Sequence, residues 1–221
     1  MKKNTSSTKI TILCNGVFPK GKEALQEMNK ANFLLCCDGA ANQAKNNNYN
    51  PDLIIGDMDS IKNSNDFDCP IKKIEEQHSN DLNKAIIWAQ DNKYKEAVIL
   101  GAMGKREDHM IANIFSLFNM NIFINVKVIT DFGEFVVFDP RNIEPENNIY
   151  IKTFSSYRGQ QISIFCNNEN IFTKSNGLKY EINGIKSNTL YELSLNESIS
   201  DNFSIGIKSN NTKLIIYKAF K

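Results

Sequence analysis

The chain has 221 residues, carries 26 Lys and Arg against 25 Asp and Glu, and is 41% hydrophobic. That near balance leaves no global field to draw in nucleic acid or an anionic membrane, so neither is expected as a partner. The apolar fraction is enough for a packed core, and the length allows one large domain or two small ones.

The start Met1-Lys2-Lys3 is followed by polar Asn4 to Lys9 and only a short apolar run, which is too short for a signal peptide. No stretch is long enough to span a membrane. Cys14, Cys36, Cys37, Cys69 and Cys166 are odd in number and have no CxxC spacing. They read as reduced core thiols of a soluble cytoplasmic protein.

In chain order, short apolar runs end repeatedly in a polar cluster. Ile10 to Cys14 ends at Asn15-Gly16, and Phe33 to Cys37 ends at Asp38-Gly39-Ala40-Ala41-Asn42. Leu53 to Ile55 ends at Gly56-Asp57-Met58-Asp59-Ser60, and Ala97 to Leu100 leads into Gly101 through His109. Alternating with helix-like segments, such runs predict strands of a parallel sheet, whose ligands gather at the carboxyl ends. Asp81 to Gln90 predicts a helix with Leu82, Ala85, Ile86 and Ala89 on one face and Ser79 or Asn80 as N-cap. Asp108 to Met120 predicts another, with Ile111, Ile114, Phe115 and Phe118 inward.

Near Asp139-Pro140 the helical periodicity ends. Gln161 to Phe165, Lys179 to Ile182, Leu190 to Leu195, Phe203 to Lys208 and Lys213 to Tyr217 predict short strands. Asn183-Gly184 is a hairpin signal, and Ser209-Asn210-Asn211 marks a second turn. The expected fold is α/β: a Rossmann-like parallel-sheet domain over residues 1–140, then a small antiparallel β-sandwich domain over residues 141–221. A β unit of that size has a marginal core and should lean on the first domain or on a second copy of itself.

Asp57 and Asp59 are two apart, which in an extended segment points both side chains the same way. Converging carboxylates repel unless a cation sits between them, and magnesium, usually held by a few carboxylates, waters and phosphates, suits the site. The plain alternative is an acidic surface turn. Asp38-Gly39 could bring an acid to the same ion or to a substrate hydroxyl, although Asp-Gly is also a common turn. Asp81, at a helix start, is explained by the helix dipole alone; beside Asp57 and Asp59 it becomes a third metal ligand. Lys84 lies one turn along and could reach a phosphate. In Gly101-xx-Gly104-x-Arg106-x-Asp108-His109 a loop enters a helix whose free N–H groups favour an anion, and Arg106 can fork onto phosphate oxygens. Asp108 either orients Arg106 or caps the helix. The spacing fits neither a Walker A loop nor the dinucleotide fingerprint.

Together these segments resemble the thiamine pyrophosphokinase family, which has a DGGAN-like stretch, a GDxDS motif, a TD or ND pair opening a helix, and a GxxGxRxDH segment, in this order. The likeness continues at Asn176-Gly177-Leu178-Lys179-Tyr180 and so covers most of the chain. It implies transfer of the pyrophosphoryl group of ATP to the hydroxyl of thiamine, giving thiamine diphosphate and AMP. Asp57, Asp59 and Asp81 would hold Mg2+ and, with Arg106, form the catalytic set. Gly39, Lys84, Gly101, Gly104, Arg106, Asp108 and His109 would bind ATP, and Asp38, Asn42, Tyr180 and Ser200 would bind thiamine. The resemblance also implies a homodimer with the active site at the subunit interface. Ala40, His78 and Asp201 depart from the family pattern, and with His78 in an acid's place a fourth carboxylate is either missing or supplied by Glu75 or Glu76. Two rival readings are a magnesium-dependent phosphohydrolase or phosphotransferase with Asp57 as nucleophile, and a non-catalytic nucleotide- or thiamine-binding regulator.

Overall fold

The branched run Ile10-Thr11-Ile12 extends as β1 (Lys9–Leu13), and three further apolar runs follow suit as β2 (Leu34–Cys37), β3 (Leu53–Gly56) and β5 (Glu96–Leu100). A computed structural model describes residues 8–76, 78–167, 170–187 and 192–221. Its chain divides into two units, Met1–Asp131 and Phe132–Lys221.

The first unit adds β4 (Ile71–Lys73), β6 (Asn125–Ile129), α1 (Lys22–Asn29), α2 (Ala40–Asn46), α3 (Asp81–Asp91) and α4 (Glu107–Asn119). Its strands lie in the order β6-β5-β1-β2-β3-β4, each neighbour parallel to the next. β2 and β3 are buried along their whole length, and β1 and β5 are buried beyond their first residue, as parallel strands covered on both faces must be. From β1 the chain steps outward through β2, β3 and β4, then crosses to the other side of β1 to lay down β5 and β6. The order therefore reverses between β1 and β5, the position where α/β sheets open a ligand crevice.

Helix α3 follows its pattern. Asn80 is the cap, its side chain accepting the Asn83 N–H at 2.9 Å, and Leu82, Ala85, Ile86 and Ala89 are buried. α4 does not. It buries Leu117 and Phe118, whereas Ile111 is 51% and Phe115 43% exposed. Apolar spacing locates a stripe, but the helix rests on the flank of it nearest Leu117. Leu117→Ala should therefore cost about 2–5 kcal/mol and Ile111→Ala less than about 0.5 kcal/mol. Urea denaturation of the two variants checks this contrast.

The second unit contains β7 (Gly133–Phe138), β8 (Tyr150–Ser155), β9 (Gln161–Cys166), β10 (Asn170–Asn176), β11 (Lys186–Ser187), β12 (Asn196–Glu197), β13 (Asn202–Ile207) and β14 (Leu214–Ala219). They form two antiparallel sets, β12-β9-β14-β7 and β11-β10-β13-β8. Phe138, Ile162, Ile164 and Ile216 from the first set pack with Phe154, Phe172, Phe203 and Ile205 from the second in one core. This is the sandwich expected.

Four local expectations in this unit resolve in different ways. Lys179 to Ile182 is a loop folded over Ser175, not a strand. Ser175 Oγ accepts the Ile182 N–H at 2.9 Å, and Glu181 Oε1 accepts the Leu178 N–H at 3.3 Å, so side chains satisfy this backbone instead of a ladder. The Asn183-Gly184 turn does form, with Ile185 N–H donating to Ile182 O at 3.2 Å, but it lies within the longer connection from β10 to β11. The Ser209–Asn211 turn carries the chain from one sheet to the other, since β13 and β14 pair with different strands. The expected strand at Leu190 to Leu195 lies partly outside the described residues, and Glu192 and Leu193 form a turn.

Candidate active site

A cavity of about 510 Å³ opens at the carboxyl ends of the first unit's strands. Cys14 to Gly16 after β1, Cys37 and Asp38 at the end of β2, and Asp57, Asp59 and Ser60 after β3 line it. Ser79 to Leu82 and Lys84 at the start of α3, and Ala102, Gly104 to Arg106, His109 and Asn113 from β5 to α4, complete the wall.

Asp38 ends β2 in the left-handed region, φ 42°, with its N–H donating to Ile55 O at 2.8 Å. It is 3% exposed. One carboxylate oxygen accepts the Ser60 N–H at 3.1 Å, and the other is buried without a hydrogen-bond partner. Burial, reinforced by the neighbouring Asp59, pushes the Asp38 pKa up to about 6, although the Ser60 donors pull the other way. Oxygens of Asp38, Asp57 and Asp59 come within 4.8 Å of one another. Asp57 and Asp59 do not converge by strand alternation: Met58 takes φ 71°, and the Asp59 N–H turns back onto Asp57 Oδ1 at 3.3 Å. Ser60 Oγ donates to Asp59 at 2.7 Å, and this bond holds the Asp59 carboxyl below its usual range. A buried carboxylate with one orphaned oxygen, clustered with two more carboxylates, is the donor set of a hard divalent cation, so these residues fit magnesium.

Asp81 lines the same cavity one step away. Burial raises its pKa, and Lys84 offsets this with a contact at 3.3 Å. Lys84 is itself buried, 6% exposed, and also donates to Ile74 O at 3.3 Å. Across the cavity Arg106 forks onto Asp108, Nε to Oδ1 at 3.1 Å and Nη2 to Oδ2 at 2.5 Å. Asp108 fills both roles open to it, since its Oδ1 also accepts the His109 N–H at 2.9 Å in the first turn of α4. The pairing with Arg106, the largest influence on each, raises the Arg106 pKa and lowers that of Asp108. Gly101 and Gly104 shape the loop with φ 63° and 76°, and His109 sits on the first turn of α4.

Not every expected residue faces the cavity. The space beside Gly39 is filled, since a Cβ there would lie 2.5 Å from Asn15 Nδ2 and 2.9 Å from Ser60 Cβ. Asn42 spends its amide on Ser60 O at 2.9 Å, fixing the Asp57–Ser60 loop from behind. His78, Glu75 and Glu76 are not among the lining residues; Glu75 pairs with Lys73 at 2.9 Å, and Glu76 accepts from Ser79 at 2.6 Å. Tyr180 and Ser200 belong to the second unit. There Tyr180 is 62% exposed with its backbone clasped by Asn196, and Ser200 O accepts from Ser198 Oγ at 2.9 Å.

Residues that sequence reasoning left unassigned complete the cavity. Asn113 donates to Ala102 O at 3.0 Å and accepts from Asn80 at 3.2 Å, tying the α3 cap to the loop after β5. Its signal was its position four residues after His109, one turn along the same helix. Asn15 and Gly16 join the loop after β1 to the loop after β5. Gly16 N–H donates to Gly101 O at 2.7 Å and Val17 N–H to Met103 O at 2.8 Å. A Cβ on Gly16 would lie 2.3 Å from both of those carbonyl oxygens, so only glycine permits the approach.

Two family models match this chain. Residues 24–130 match the catalytic domain of thiamin pyrophosphokinase, and residues 149–217 match its substrate-binding domain. The chain belongs to the thiamin pyrophosphokinase family. The segment matching that family's catalytic domain holds Asp38, Asp57, Asp59, Asp81, Arg106 and most of the rest of the cavity wall. Thiamine pyrophosphokinase 1 of Arabidopsis thaliana is 30% identical over 142 residues, 52% of this chain and 52% of that protein. The matched region thus spans about half the length of that curated relative. Among solved structures, the thiamine pyrophosphokinase from Bacillus subtilis has a TM-score of 0.76 at 20% identity, covering 96% of this chain and 99% of its own. The thiamin pyrophosphokinase from Candida albicans has a TM-score of 0.74 at 17% identity, covering 100% and 95%. At these identities the structural likeness speaks for the fold.

Proposed function

We propose that the protein is a thiamine diphosphokinase, transferring the pyrophosphoryl group of ATP to the hydroxyl of thiamine and releasing AMP. What carries this reading is that the segment matching the family's catalytic domain contains the whole acid cluster, while a separate segment matches the substrate-binding domain. Asp38, Asp57 and Asp59 would hold magnesium, with Asp81 beside them. When bound, magnesium offsets charge on a polyphosphate. Arg106, oriented by Asp108, and the Gly101–Gly104 loop would position the phosphates, the main contribution a protein makes to such transfers. Lys84, in contact with Asp81, offsets part of the upward shift that burial imposes on its carboxyl.

Thiamine is assigned to Tyr180 and Ser200 of the second unit, with catalysis at the interface of a homodimer. The family likeness supports this assignment, as does the exposed Tyr180 ring, a surface on which a heteroaromatic ring can stack. Among the described residues no helix is long and apolar enough to cross a membrane. The five free thiols, four of them buried, support a cytoplasmic location.

Incubation of the purified protein with thiamine, ATP and magnesium, with products identified by mass spectrometry, tests the reading. Thiamine diphosphate and AMP in equal amounts are expected. Thiamine monophosphate with ADP, or inorganic phosphate alone, would overturn it.

A further inference from the structure

Three cations line the cavity: Lys84, Lys105 and Arg106. Two of them are neutralised, Lys84 by Asp81 at 3.3 Å and Arg106 by Asp108 at 2.5 Å. Lys105 differs. Its ammonium donates to a neutral acceptor, Asn15 Oδ1, at 2.8 Å, and among the described residues it forms no ion pair. Partial desolvation lowers its pKa, the opposite of the shift that Asp108 imposes on Arg106.

The backbone is also unusual there. Lys105 takes φ 59°, next to Gly104 at φ 76° and close to Gly101 at φ 63°. This is the left-handed region that glycine favours, and a lysine held in it is strained. Asn15 is braced in turn. Its Oδ1 also accepts from Gln43 Nε2 at 2.9 Å, and Gln43 donates to Gly16 O at 3.0 Å. An ammonium placed on a strained backbone, pinned by a braced amide and left without a counter-ion, faces a cavity whose opposite wall carries the acids.

We propose that Lys105 binds the polyphosphate of the nucleotide and that Asn15 is its positioning residue. This rests on the nucleotide reading given under Proposed function and adds to it the cation that lacks a counter-ion until the nucleotide arrives. The phosphate oxygens supply the counter-charge, and Asn15 limits the directions in which the flexible lysine stem points.

Lys105→Gly is the sharpest test, because glycine suits the left-handed backbone and so removes the side chain and its ammonium without adding strain. The probe is α,β-methylene-ATP with magnesium, titrated by calorimetry, alongside steady-state kinetics and thermal melting. Lys105→Gly should bind the analogue about tenfold more weakly and raise KM for ATP by a similar factor. KM for thiamine should not change, and the melting midpoint should not fall. Lys105→Arg should recover most of the affinity. Asn15→Ala should weaken binding by about threefold, and the Asn15→Ala/Lys105→Gly double variant should be no worse than Lys105→Gly alone. Wild-type affinity in Lys105→Gly, while the parent protein turns over normally, would overturn the lysine assignment only. Additive losses in the double variant would overturn the role of Asn15. A parent protein that does not bind the analogue would instead remove the nucleotide reading itself.

Discussion

Asp38→Asn is expected to lower kcat by at least about 10²- to 10³-fold while the metal-free variant melts about 2–4 °C above the parent protein. The two effects come from the same carboxylate. Asp38 is 3% exposed, and one of its oxygens is buried without a partner. The asparagine amide removes that buried charge and presents a permanent donor to Asp59, so the folded state gains. The same change removes an anionic ligand from the cluster with Asp57 and Asp59, so turnover is lost. The pH dependence has a definite sign. Burial raises the folded pKa of Asp38 to about 6 from an ordinary 3.8, so the penalty is absent below about pH 4, grows between pH 4 and 6, and stays constant above. The stability gap between variant and parent should open over that window. Differential scanning fluorimetry in EDTA from pH 4 to 8, with kinetics in magnesium, measures both effects. A variant that is less stable and fully active would refute the assignment.

Asp139→Asn should destabilise the protein by about 3–5 kcal/mol at pH 7. The Asp139 side chain is 2% exposed and accepts Arg141 Nε at 2.9 Å and the Arg141 N–H at 3.1 Å, with the buried Lys213 ammonium 3.7 Å away. Removing the carboxylate takes the counter-charge from beside the buried Lys213 ammonium, the costly way to break a buried pair. Burial alone would raise the Asp139 pKa, but the bonds from Arg141 and the charge of Lys213 outweigh it and hold it low. Its stabilisation is therefore present above the ordinary carboxyl value and is lost as the pH falls through the depressed one. Urea denaturation at pH 7 should show the full gap, narrowing in strong acid. Equal stability of the two proteins at pH 7 would show that Asp139 contributes nothing there.

Strand positions and polar strand ends were legible because a parallel strand buried on both faces must be apolar throughout and its ligand-bearing loop must not be. The α3 face and cap were legible for a similar reason: one helix turn carries both the capping Asn80 and the first inward Leu82. The side of α4 that packs was not, since Ile111, Phe115 and Phe118 share a stripe whichever flank the sheet receives. Asp57 and Asp59 were singled out for the right chemistry by the wrong geometry. The expectation assumed extended backbone, and the left-handed Met58 brings them together instead. Asp38 joined the cluster through strand adjacency, because β2 and β3 are neighbours, a pairing visible only in three dimensions. The loop over Ser175 was read as strand because side-chain hydrogen bonds to backbone leave no periodic trace.

The reversal of strand order between β1 and β5 divides the cavity by charge. On one bank, after β2 and β3 and at the start of α3, stand Asp38, Asp57, Asp59 and Asp81, with Lys84 already matched to its acid; on the other, after β5, stand Lys105 and, matched to Asp108, Arg106. The crevice is thus a transverse electric dipole built into the topology of the sheet. A polyphosphate carrying a cation on one side and bare oxygens on the other is polarised in the complementary sense, so it meets a torque before it meets a hydrogen bond. The field favours one orientation of such a ligand, and the short-range contacts then fix its position.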